Sequence, residues 1–195
     1  MRTLLACLFI IAPYAAWADT FQLDKQHTEV RFSWDHLGLS HQSAKFTDTA
    51  GRVTFDPGNI EASTVDVEIK VASLVSGVAA LDTHLIKTKD YFDAGAFPTM
   101  TFKSRTVRST GDRSGELTGD LTINGVTKPV TMAVVWNFLG PHPLGTVNPT
   151  YQDVTAAGFT ARTQILRSDW GMTRTIPLIS DEIRIVIETE MHKVP

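Results

Sequence analysis

The chain has a single cysteine, Cys7, close to its start. If a leader carrying Cys7 is removed, no thiol remains. Disulfides, thiolate metal centres and a cysteine nucleophile are then excluded. Basic runs are also missing. The formal net charge is −3, with both signs spread along the chain, so nothing grips a phosphate backbone and no nucleic acid partner is expected. The one apolar stretch, Leu4 to Ile11 extended through Pro13 to Ala16, is shorter than the ~18 residues read as a membrane-spanning helix. None of the six histidines, His27, His36, His41, His84, His142 and His192, falls in an H-x-H or H-E-x-x-H pattern, so no metal site is assigned. A nucleophile elbow and a phosphate-cradling glycine loop are lacking. Gly111-Asp112-Arg113-Ser114-Gly115 reads as a polar hairpin tip, and Asp90 and Asp93 sit in a helical stretch without a paired-carboxylate setting. No catalytic residue and no cofactor are assigned.

What is present begins with an export signal. Arg2 gives a positive start, the apolar stretch follows, and Ala16-Trp17-Ala18 fits small-x-small cleavage before Asp19. Residues 1–18 are read as a cleaved signal peptide and 19–195 as one domain, long enough to bury a core. Leu4-Leu5-Ala6-Cys7 resembles a lipid-attachment site. Such a site needs an apolar stretch ahead of the cysteine, and only three residues precede Leu4. No lipid anchor is expected.

Strict alternation of apolar and polar residues is the main structural signal. Val30, Phe32 and Trp34 alternate with Arg31, Ser33 and Asp35; Val65, Val67, Ile69 and Val71 with Asp66, Glu68 and Lys70. Leu117, Leu121 and Ile123 share a face, as do Val130, Met132, Val134, Trp136 and Phe138, and Ile183, Ile185 and Ile187. Each run reads as a strand with one face in an apolar interior and the other in water. Turns are expected at Ala50-Gly51, Asp56-Pro57-Gly58-Asn59, Gly111-Asp112, Asn124-Gly125 and Gly140-Pro141. Asn124-Gly125 is the strongest hairpin signal. From Val78 to Asp93 the period changes: Leu81, Leu85, Thr88 and Phe92 recur at helical spacing. One or two short helices are expected there, covering an opening. Gly140 to Asp153 reads as an irregular loop at the mouth. These features predict an all-β fold, a sandwich or a closed barrel.

Four stretches carry a resemblance to a known family. They are Asp24-x-x-His27-Thr28-x-Val30-x-Phe32-x-Trp34-x-His36-x-Gly38; His84-Leu85 with Asp90-Tyr91-Phe92-Asp93, Phe97-Pro98, Phe102 and Ser104; Gly119-x-Leu121 through Asn124-Gly125 to Val130; and Arg167-Ser168-Asp169-Trp170-Gly171-Met172. In this order they resemble the YceI-like polyisoprenoid-binding proteins, a bacterial lipocalin-like group. Thr28 stands where that family usually has Ser, and Tyr91 and Trp170 where it has Phe; the loop from Gly140 to Ala157 is longer. The resemblance implies an antiparallel eight-stranded lipocalin-like barrel in the periplasm, holding a prenyl chain. The lipid would be a polyprenyl phosphate or a quinone, and the partners membrane redox proteins or lipid enzymes. The protein would be a monomer or homodimer.

The inward-facing set is rich in aromatics: Phe32, Trp34, Phe55, Phe102, Trp136 and Phe159, with the adaptable Met132 and Met172. Val67, Ile69, Leu85, Phe92, Leu121, Val134, Ile165 and Ile185 complete the expected contact surface for an apolar tail. The same residues would equally well pack a solid core. Polar residues of inward parity are the exceptions. His36 follows Trp34, and Arg167 follows Ile165, both at strand ends. A charge on an apolar face needs a partner. His36, Arg167 and Asp169 are therefore candidates for contact with a lipid head, with two rival readings. Arg167 would pair with Asp169, Asp90 or Asp93 to lock the barrel end, and His36 would bond to backbone. His27 has outward parity beside Asp24, where a turn bond is expected. Two other functions stay open: an enzyme acting on a lipid head with His36, Arg167 and Asp169 converging at the mouth, and a solid-cored module that works through its outer surface.

Overall fold

The computed structural model describes residues 18–194, so the expected signal peptide, apart from Ala18, lies outside the described residues. The elements in order are β1 (Asp19–His36), β2 (Ser40–Phe46), β3 (Thr49–Phe55), β4 (Thr64–Lys70), β5 (Leu74–Val75), α1 (Ala79–Lys87), β6 (Thr99–Gly111), β7 (Ser114–Ile123), β8 (Val126–Pro141), β9 (Thr155–Leu166) and β10 (Glu182–Lys193).

All strand pairings are antiparallel. β2 and β3 lie along the same flank of β1, broken only at Thr47-Asp48. β4 and β5 are likewise one stave interrupted by a 3₁₀ turn at Val71–Ser73. The ten segments thus form eight staves, and pairing of β1 with β10 closes the ring. Closure leaves no free edge between the first and last staves. One end carries α1 and the segments 88–98 and 171–181. The other carries the β6–β7 hairpin and the segments 56–63 and 142–154.

The local chemistry explains most of these elements. At the β7–β8 hairpin Asn124 and Gly125 have φ of 50° and 73°, the left-handed pair that a tight two-residue hairpin demands. α1 is a single helix over Ala79–Lys87, and it turns Leu81 and Leu85 toward the barrel opening.

Three sequence expectations need correction. Ala50-Gly51 is not a turn but lies within β3. Gly51 is there for closeness: a Cβ on it would sit 2.5 Å from the Asp66 carbonyl oxygen. Gly140-Pro141 belongs to the end of β8, paired with Ala156 and Thr155. The proline is tolerated because β7 stops at Ser114, opposite Val135, so no neighbour on that flank needs its N–H. Phe138 is 38% exposed rather than inward. The register of β8 against β9 shifts between Trp136 and Phe138, and one extra residue sends the next side chain to the other face. The irregular segment after Pro141 holds two short 3₁₀ turns, Pro143–Thr146 and Pro149–Tyr151, and lies at the end opposite α1.

Candidate functional site

The barrel is hollow. Its interior is a cavity of about 620 Å³, within the ~300–1,000 Å³ usual for small-molecule sites. This overturns the solid-cored alternative. Every apolar residue assigned to the lining from the sequence faces the cavity: Phe32 and Trp34 on β1, Phe55 on β3, Val67 and Ile69 on β4, Leu85 on α1, and Phe92 after it. So do Phe102 on β6, Leu121 on β7, Met132, Val134 and Trp136 on β8, Phe159 and Ile165 on β9, Met172, and Ile185 on β10.

Two aromatic groups mark its length. Toward the α1 end, Phe32 stacks on Trp34 and Phe46 with centroids 5.7 and 5.4 Å apart, and Phe92 meets Phe46 edge-on at 5.5 Å. Toward the other end, Phe55 meets Trp136 and Phe159 edge-on, each at 5.1 Å. Such pairs add to the rigidity of the wall as well as to its area. Glycine helps keep the space between them open. Gly119 faces inward on β7, and a Cβ there would lie 2.4 Å from the Phe102 ring. Without that Cβ the tip of the Phe102 ring packs directly against the β7 backbone.

Polar groups reach the cavity mainly near its ends. At the α1 end these are His36, Gln42, His84, Tyr91 and Arg167; at the hairpin end, Ser63 and Asp112 through Glu116. Between them Thr28 and Thr189 satisfy one another through their hydroxyls at 2.8 Å. Sequence reasoning missed Gln42, although it shares parity with the buried Ala44 and Phe46. It also missed Tyr91 and the Asp112–Glu116 tip, which alternation does not reach.

The three polar candidates part company. Arg167 is only 4% exposed, and four of its five guanidinium N–H groups are bound by backbone carbonyls. Nε donates to the Ser180 carbonyl at 2.9 Å, Nη1 to Met172 at 2.5 Å, and Nη2 to Arg174 at 2.9 Å and Ile179 at 3.0 Å. The expected carboxylate partners are corrected. Asp90 instead pairs with Arg174 at 2.6 Å, and carbonyl oxygens of the 171–181 segment hold Arg167. Burial pushes the Arg167 pKa below its usual value, opposed by the nearby Tyr91 and Asp181. Asp169 is exposed and does not line the cavity, so it is corrected as a head contact. It alternates with Arg167 and Trp170 in the 3₁₀ turn Arg167–Trp170, where those two turn inward. His36 lines the cavity half-buried, and its imidazole has no hydrogen-bond partner among the described residues. The cavity end thus brings His36 and Arg167 to its lining but not Asp169, the third member that the alternative enzyme reading required. Chemically, the arrangement can hold an apolar chain without covalent contact and offer hydrogen bonds where the chain ends.

Comparison with known proteins agrees with this architecture. Residues 21–191 match the family model of the YceI-like domain. A UPF0312 protein of Ectopseudomonas mendocina is 35% identical over 177 residues, covering 90% of this chain and 88% of the relative. The crystal structure of a Campylobacter jejuni YCEI protein matches with a TM-score of 0.70 at 30% identity, over 83% of this chain and 90% of that one. Burkholderia cenocepacia BcnA matches at 0.74 with 23% identity, over 86% and 98%. A polyisoprenoid binding domain from Saccharophagus degradans matches at 0.66 with 10% identity, over 91% and 99%. At these last two identities the likeness concerns the fold alone.

Proposed function

We propose, since this chain belongs to the YceI-like domain family, that its barrel is a binding and carrier protein for a long-chain isoprenoid lipid. The observation that carries this reading is the lumen itself: about 620 Å³ of space lined almost wholly by hydrocarbon, with polar groups concentrated at the ends. Burying hydrocarbon gains ~0.8 kcal/mol per methylene-sized group, so a five-carbon isoprene unit is worth about 3–4 kcal/mol before costs. A few units exceed the ~8 kcal/mol of micromolar binding after ordering costs of several kcal/mol. Affinity then follows chain length and bulk more than the chemistry of the head. The fold shared with a protein described as a polyisoprenoid binding domain supports the same ligand class.

In this reading the tail is that of a polyprenyl phosphate or a quinone. Its head lies at the α1 end, where His36 has a free imidazole beside Gln42, His84 and Tyr91. Arg167 contributes positive potential there, with four of its five guanidinium N–H donors taken by backbone carbonyls. The carrier works in the periplasm after export, handing its lipid to membrane redox proteins or lipid enzymes. A cut before Asp19 leaves β1 whole.

Native mass spectrometry of protein purified from its own host, followed by lipid extraction, tests the proposal. A prenyl lipid bound one per chain is the expected result. A barrel that is repeatedly lipid-free and takes up neither a prenyl phosphate nor a long-tailed quinone overturns it.

A further inference from the structure

The motif Asp24-x-x-His27 plays no part in the lumen. Between the paired positions Leu23–Met191 and Thr28–Thr189, the four residues 24–27 of β1 face only Glu190 of β10. This wide bulge throws Asp24 and His27 to the outside, onto the seam between the first and last staves. Glu190 faces outward too, since its neighbours Thr189 and Met191 line the lumen. His27 Nδ1 lies 2.7 Å from Asp24 Oδ2 and 3.9 Å from Glu190 Oε2, and the three ligand-type atoms all fall within 4.8 Å of one another.

We propose that Asp24, His27 and Glu190 bind a borderline divalent cation, of the zinc or copper class, on the outer face of this seam. Bonds of ~2.0–2.2 Å to such an ion place tetrahedral ligand atoms about 3.3–3.6 Å apart, inside the range that the three side chains span. The bulge prearranges the first two. The Gln26 N–H donates to Asp24 Oδ1 at 2.9 Å, which fixes that carboxylate and leaves Oδ2 directed at His27. The neighbouring lysines are engaged elsewhere, Lys25 with Asp48 and Lys193 with Asp19, each at 2.7 Å. Two carboxylates therefore converge with one imidazole between them, and a dication neutralises the pair. The imidazole nitrogen selects against calcium and magnesium, which prefer oxygen alone. The side chains of His27 and Glu190 are 51% and 56% exposed, which gives the ion a path in and room for water ligands. His192 shares an outer pocket with Asp24 but lies outside the group of ligand atoms within 4.8 Å of one another. The sequence held no local metal pattern because the third ligand comes from the far end of the chain.

The test uses the tag-free chain, stripped with chelator and titrated with Zn²⁺ by calorimetry, with thermal unfolding alongside. One saturable equivalent and a raised Tm are expected, neither reproduced by Ca²⁺. Replacing a group that only supports a metal ligand already costs 10–100-fold in affinity, so removing a ligand outright should cost at least about tenfold. Glu190→Gln, which leaves the Asp24–His27 bond intact, should show that loss with an unchanged metal-free Tm. His27→Gln should match it. Absence of saturable binding overturns the proposal, and so does full affinity in both variants.

Discussion

Trp34 and Phe102 face the lumen with 8% and 5% exposure. Aspartate at either position would place an unpartnered carboxylate among hydrocarbon, a cost of several kcal/mol against a total stability of ~5–15 kcal/mol. Trp34→Asp and Phe102→Asp should each lower the thermal midpoint by more than about 10 °C in a circular dichroism melt and abolish lipid uptake. A wild-type midpoint would mean these side chains do not face inward. At the other extreme of burial, the exposed His27 pairs with the partly buried Asp24. The hydrogen bond from Asp24 raises the His27 pKa above its usual 6.5. For Asp24, partial burial pushes upward, but the bonds from His27 and the Gln26 N–H outweigh it and the carboxyl sits low. A histidine raised on folding contributes stability that is whole below its unfolded pKa and is lost as pH climbs through the folded one. In chelator, unfolding free energy should therefore fall slightly between about pH 6 and 8, by less than ~1 kcal/mol for so exposed a histidine. His27→Asn should flatten that slope, and urea titrations at several pH values would read it. Side-chain direction was legible in the sequence wherever alternation ran unbroken, as from Val30 to His36. It failed at Phe138, because one inserted residue in β8 reverses parity and leaves no mark in composition.

Among elements, the 171–181 segment depends most on a single residue. Arg167 ties four of its carbonyl oxygens together from inside, with Ser168 and Asp181 joined beside it at 2.7 Å. Arg167→Met would fill the space yet strand those carbonyls, each worth about 1–3 kcal/mol when buried unsatisfied. The variant should lose more than about 3 kcal/mol and show fast amide exchange confined first to 171–181. Exchange spread evenly over the barrel would mean the arginine supports the whole fold rather than this cover. The sequence marked Arg167 as anomalous, since a cation stood on an apolar parity. It could not name the partners, because backbone carbonyls carry no residue identity to read. Helix α1 and the Asn124-Gly125 hairpin were legible because each rests on short-range chemistry. Gly51 misled for the opposite reason: it serves a close approach between β3 and β4, not a turn, while Gly140 is an ordinary paired position near the end of β8.

For the whole molecule, an all-β fold of short one-sided strands followed from alternation, and the family resemblance supplied both the number eight and the closure. Hollowness did not follow. The inward residues are the same whether they touch across the axis or stand back from it. That difference rests on details such as Phe102 lying over Gly119, which no pattern along the chain records.

The closing pair has a consequence for where the chain can be cut. Every stave meets its sequence neighbour except at the meeting of β1 and β10, where the Val194 N–H bonds to the Thr20 carbonyl at 2.9 Å. The two ends of the domain therefore lie side by side. A short linker joining them, with new termini opened at Asn124-Gly125, makes a circular permutant in which the old seam becomes a local hairpin and only the β7–β8 contact turns long-range.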